Sequence, residues 1–187
     1  APREARTWYA PRYAPDMRAL ETQDGRSRRG EAMYVVGAYR PVSPEAEAPE
    51  ADSVGAEPSE LDTQGIGEFG IQGQPHAALF LIPEDGSEPR LVRGRDAEGV
   101  LTITSPPGRY VSGLEVVDLQ GRQAWRARQG VVQLPLVPGL VGVSDLLILK
   151  EGAPLPESLD EAIPYVRPGV RLRRGEEFPV VWEAYGL

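Results

Sequence analysis

Proline and glycine interrupt this chain so often that no long helix fits it. There are 19 Pro and 21 Gly among 187 residues; proline removes a backbone donor and glycine loosens any regular element. The runs between them are β-type. Residues 31–40 (Glu-Ala-Met-Tyr-Val-Val-Gly-Ala-Tyr-Arg) are rich in β-branched and aromatic side chains and follow the turn signal Arg29-Gly30. Ala77 to Ile82 ends at Pro83 and the turn Glu84-Asp85-Gly86, and Gly99 to Thr104 stops at Pro106-Pro107-Gly108. Tyr110 to Asp118 and Arg122 to Gln129 flank Gln120-Gly121 as a hairpin. Val131 to Leu136, Asp145 to Lys150 and Phe178 to Tyr185 complete the set, with one short helix near Pro156 to Ile163. In the hairpin, Trp125 and Ala127 alternate with Arg126 and Arg128, which predicts one buried and one wet face. About seven or eight strands at this spacing predict an all-β fold, an antiparallel Ig-like or fibronectin-like β-sandwich.

Two segments stand outside that pattern. Residues 1–30 have no clear period and read as an extended N-terminal arm, with residues 31–187 as the sandwich. Tyr-Ala-Pro occurs twice, at Tyr9 and Tyr13, and each Ala before Pro is held extended. Arg6, Trp8, Tyr9, Arg12 and Tyr13 make the arm a candidate partner contact, since aromatics and Arg concentrate at interface centres; packing along its own domain is the other reading. Residues 43–75 read as an acidic, Gly-rich loop insertion. Residues 43–62 hold seven acids and no base, Glu45, Glu47 and Glu50 among them. Their composition supports no packed core; they either solvate the chain or meet a partner.

The net charge of −8 comes mostly from that loop; without it, 20 basic residues face 21 acidic ones. A chain this close to neutral does not fit nucleic acid. No apolar run reaches the roughly 20 residues of a membrane-spanning helix. The chain begins Ala1-Pro2, as after signal-peptide removal, so export is expected.

Chemistry is sparse. Without Cys, thiol chemistry and Cys-based metal or cluster sites are excluded. His76 is the only histidine and reads as a strand-edge or loop residue. Gly65-Ile66-Gly67-Glu68-Phe69-Gly70 matches GxGxxG, but Ile71-Gln72-Gly73-Gln74-Pro75 opens no helix to hold a pyrophosphate. Ser144-Asp145 lies in no nucleophile elbow and reads as a turn cap. Glu176-Glu177 beside Arg173-Arg174 reads as a charged turn. The expectation is no enzyme, no cofactor and no metal. Trp182 and Tyr185 fall on opposite faces of the last strand; Trp182 is expected in the core, and Tyr185 at an edge or a partner surface.

Gly108-Arg109-Tyr110, Leu114-Glu115-Val116-Val117-Asp118, Val143-Ser144-Asp145-Leu146-Leu147 and the closing Phe178 to Leu187 occur in an order and spacing that resemble the C-terminal β-sandwich region of bacterial GWxTD-domain proteins. The resemblance covers about residues 108–187; the Gly-Trp-x-Thr-Asp stretch is absent. It implies a secreted or envelope protein without catalytic residues. Bacteria with this domain type include phototrophs. The resulting expectation is a periplasmic, membrane-peripheral accessory subunit of a membrane protein complex, such as a photosynthetic reaction centre with its antenna. The alternative is a soluble periplasmic sandwich that binds a ligand or carbohydrate.

Overall fold

A computed structural model describes residues 18–42, 76–118, 123–135, 137 and 139–186. Seven strands form one sheet: β1 (Arg18–Arg29), β2 (Ala32–Pro41), β3 (His76–Pro83), β4 (Arg90–Gly94), β5 (Gly99–Ser105), β6 (Gly108–Asp118) and β7 (Gln123–Gln133), in the spatial order β4-β3-β6-β7-β1-β2-β5. Every neighbouring pair is antiparallel except β1 with β7, which is parallel and paired only at Arg18–Trp125 and Ala19–Arg126. The sheet curls until its two ends meet, β4 against β5, where Arg90 Nη1 donates to the Thr104 carbonyl at 3.2 Å. The fold is therefore mostly β, as expected. Its large sheet is mixed and nearly barrel-shaped, where the sequence suggested two facing antiparallel sheets.

The barrel interior explains the alternation of the strands. Met33, Val35 and Tyr39 of β2, Leu79 and Leu81 of β3, Leu114 and Val116 of β6, and Trp125 and Val131 of β7 form one buried cluster. Arg126 and Arg128, between the buried positions of β7, turn to the outer face and pair with Glu115, as the alternation predicts. Val131 to Gln133 continues β7 and is no separate strand. β2 is buried on both sides. Its outward Val36 and Ala38 pack under a C-terminal layer that supplies Leu147, Leu149, Leu159, Ala162 and Val166. That double burial is why residues 32–39 read as a continuous apolar run.

The C-terminal layer is an irregular ribbon. β8 (Gly142–Val143) pairs with β11 (Ala184–Tyr185), and β9 (Leu147–Ile148) with β10 (Val180–Val181), both antiparallel. Between the strand pairs lies α1 (Leu159–Ala162), whose Glu161 N–H donates to its N-cap Ser158 Oγ, followed by a 3₁₀ turn at Ile163–Tyr165. The helix falls where the sequence placed it.

The arm boundary at residue 30 moves. Residues 18–29, read as the end of the arm, are the longest strand of the sheet. Gln23 is buried and joins the barrel to the ribbon: its Nε2 donates to the carbonyls of Ile148 (2.8 Å) and Arg167 (3.0 Å), and its Oε1 accepts from the Ile148 N–H (2.9 Å).

Beyond their two paired residues β1 and β7 splay apart, and side chains close the seam. Gln129 donates to Asp24 Oδ2 at 2.7 Å, and Arg26 Nη1 donates to the Val132 carbonyl at 2.5 Å. The other oxygen of Asp24 is buried without a partner. Burial pushes the Asp24 carboxyl up to about 6. A folded-state pKa above the unfolded 3.8 means that the fold prefers the protonated acid. Stability is therefore highest below pH 4 as far as this group goes, and falls as pH rises through 6. Asp24→Asn removes the charge at similar shape. The expected result is a gain of about 2 to 3 kcal/mol at pH 7 that shrinks toward zero near pH 4, read by denaturant unfolding at several pH values.

Candidate docking surface

The ribbon divides its side chains by chemistry. Its inward face carries the charges. Asp145 Oδ2 accepts from the Arg26 N–H (2.9 Å) and Nε (2.6 Å), and its Oδ1 accepts from Nη2 (2.7 Å). The Asp145 N–H donates back to the Arg26 carbonyl at 2.9 Å. This forked pair satisfies the edge of β1 that β7 has left. Glu183 accepts from Ser27 Oγ at 3.1 Å and lies 3.4 Å from Arg29. Tyr185 O–H donates to Glu183 and accepts from the Arg28 N–H, both at 2.9 Å.

The local reason is a bulge. The register pairs Leu147 with Val181 but Val143 with Ala184, so Ser144 and Asp145 together oppose Glu183. Ser144 fixes the bulge: its N–H donates to the Glu183 carbonyl (2.9 Å), and its Oγ accepts from the Glu183 N–H (2.9 Å). The turn-capping role expected of Ser144-Asp145 is thus extended to holding the ribbon on the barrel.

The outward positions of the paired strands carry no charge. On one strand they present Val143 and Leu146, on the other Val180, Trp182 and Ala184; Val143, Leu146 and Trp182 are 62%, 61% and 55% exposed. The register carries Trp182 opposite Leu146. Trp182 is therefore a surface residue, which corrects its expected place in the core. The two-sided reading of Trp182 and Tyr185 holds, but the faces are exchanged. Trp182→Ala is accordingly expected to change stability by less than about 1 kcal/mol, with an almost unchanged melting curve.

The segment that leads into the ribbon extends this apolar surface. No charged residue occurs between Arg128 and Asp145. Leu134, Val137, Leu140 and Val141 are each more than half exposed. The Leu140 N–H donates to the Val137 carbonyl at 3.1 Å, and Gly139 holds the turn with φ 80°. A cleft of about 190 Å³ lies where the splayed ends of β1 and β7 meet the ribbon, lined by Leu134, Val143, Arg26, Arg28 and Tyr185 among others. Arg28 there donates through Nη2 to the Leu134 carbonyl.

Of the residues singled out in the sequence, Arg6, Trp8, Tyr9, Arg12, Tyr13, Glu45, Glu47 and Glu50 lie outside the described residues, as does the Gly65 to Gly70 stretch. Tyr185 is half-buried, with its hydroxyl bonded inward to β1 and Glu183. His76 opens β3 at a strand end, and burial lowers its pKa. The turn at Arg173 to Glu176 is as expected: the Arg173 N–H donates to the Glu176 carboxylate at 2.7 Å. The sequence reading missed Leu134, Val137, Leu140 and Val141; the signal available was the long run without charge.

Another buried titratable group is Glu115, 3.0 Å from Arg126 Nε on the outer face of β6. Burial raises its pKa against the pull of Arg126 and Arg128, and the three form a structural ion cluster. Among the described residues no group of His, Asp and Glu is arranged to hold a metal, and no helix is long and apolar enough to cross a membrane. No protein-family model matches the chain, and no curated protein or solved structure matches it either.

Proposed function

We propose that this chain is a non-enzymatic, exported accessory subunit that docks on other protein subunits of a membrane complex from the periplasmic side. The observation that carries this reading is the inverted polarity of the ribbon. Asp145 and Glu183 turn inward to Arg26, Arg29 and Ser27, while Val143, Leu146, Val180 and Trp182 face outward. Exposed apolar surface without charge is costly in a soluble chain and marks a contact site. A photosynthetic reaction centre with its antenna is the complex that the resemblance to GWxTD-domain proteins suggests. A ligand- or carbohydrate-binding reading would use the cleft at the β1–β7 seam, and ranks second because Arg26 and Tyr185 there are already bonded to Asp145 and Glu183. The test is copurification from mildly solubilised membranes of the organism that makes the chain, with companions identified by mass spectrometry. A stoichiometric membrane complex is expected. Recovery of the protein as a free soluble monomer would remove the accessory-subunit reading and favour the ligand-binding one.

A further inference from the structure

We propose that the turn around Val137–Leu140 enters the interfacial layer of a lipid bilayer, so that the protein touches lipid directly. This goes beyond docking on protein, because lipid contact needs no companion subunit.

The composition of the turn selects the occupant. Protein interface centres are rich in Trp, Tyr and Arg and poor in small aliphatic surface. The exposed side chains here are Leu134, Val137, Leu140 and Val141, from a stretch with no charge between Arg128 and Asp145. A hydrocarbon layer accepts such groups and rejects charged ones. The Leu140 N–H bonds the Val137 carbonyl, so these two exposed side chains flank one turn. The base of the segment suits the headgroup layer. Arg28, bonded to the Leu134 carbonyl at the base of the segment, has no acid partner among the described residues, which leaves its charge for a lipid phosphate.

The absence of cysteine makes a site-specific test direct. Leu140→Cys and Leu155→Cys, the latter in the segment before α1 and 88% exposed, each carry one environment-sensitive dye. Each is mixed with vesicles of phosphatidylcholine and phosphatidylglycerol. The expected result is a blue shift and intensity gain at 140, none at 155, and flotation of the unlabelled protein with the vesicles. Leu140→Asp with Val141→Asp, first shown to melt as the parent does, is expected to weaken vesicle binding roughly tenfold or more. The proposal is overturned by no shift at 140, whether or not the protein floats. It is equally overturned by a shift that appears only when the companion membrane complex is added; that result would leave the docking reading standing and make the turn a protein contact.

Discussion

Gln23→Leu is expected to lower the melting temperature by roughly 5 to 15 °C, although the new side chain is apolar, close in volume and placed in a buried site. The physical reason lies in three hydrogen bonds. Gln23 donates to the Ile148 and Arg167 carbonyls and accepts from the Ile148 N–H. Leucine leaves the Ile148 N–H and the Arg167 carbonyl without these bonds where they are shielded from water, while the Ile148 carbonyl keeps its bond from the Arg167 N–H (2.9 Å); at about 1 kcal/mol or more for each lost bond, the total is about 2 to 4. Gln23→Glu separates hydrogen bonding from packing. Its carboxylate keeps the bond from Ile148 but turns a negative oxygen toward two carbonyls. The folded state then favours the protonated acid, so this variant should be least stable at neutral pH and recover as pH falls through the range of a raised carboxylate pKa. Calorimetric melting at pH 7 and pH 4 checks both. If Gln23→Leu melts with the parent, the ribbon is held by something other than Gln23.

The second large effect is expected at Gly25. A Cβ built there would sit 2.3 Å from Leu147 Cδ2 and 3.2 Å from its Cγ. Leu147 is 2% exposed and packs in the cluster with Val36 and Leu149, so it has little room to yield. Gly25→Ala should cost about 1 to 3 kcal/mol, and Gly25→Val more, because the ribbon must lift from β1. Leu147→Ala alone creates a cavity and costs about 3 kcal/mol. Combined with Gly25→Ala it should cost clearly less than the sum, since the new methyl occupies space that Leu147 vacates. Denaturant unfolding of the two single variants and the double variant gives the coupling. Strict additivity would show that Gly25 and Leu147 do not meet.

These two positions also show why part of the fold was hidden in the sequence. The strands whose inward side chains fill the barrel were legible, because Leu79, Leu114 and Trp125 alternate with residues of the other face. β1 was not. Its Thr22 to Arg29 stretch is polar because it meets a side-chain-closed seam on one edge and the ribbon above, and its contacts are Gln23, a glycine under Leu147, and Ser27. Hydrophobic period cannot detect a strand held in that way. β4 was missed for a related reason: it is a five-residue strand at one end of the sheet, and exposed Arg90 and Arg93 flank its two apolar residues, Leu91 and Val92. In the ribbon, alternation correctly set Trp182 against Tyr185 but did not say which side meets the barrel. The deciding contacts, Asp145 with Arg26 and Glu183 with Ser27, join residues more than 100 positions apart. Trp182 looked like core because size and apolarity are the same signal for a core residue and for a docking residue.

The candidate site was legible only in part. The expectation of a partner-binding protein drew on the arm and the acidic tract, whereas the described surface that supports it is the outward face of the paired ribbon strands. Its most direct test is a crosslink. A photo-reactive group is attached through Leu146→Cys on the outward face, and in a second sample through Leu155→Cys, and each protein is irradiated in its native membranes. The account predicts covalent adducts to a small, fixed set of companion subunits from position 146 and none from position 155. Adducts from neither position, or the same adducts from both, would contradict the claim that the outward face of the ribbon is where this protein docks.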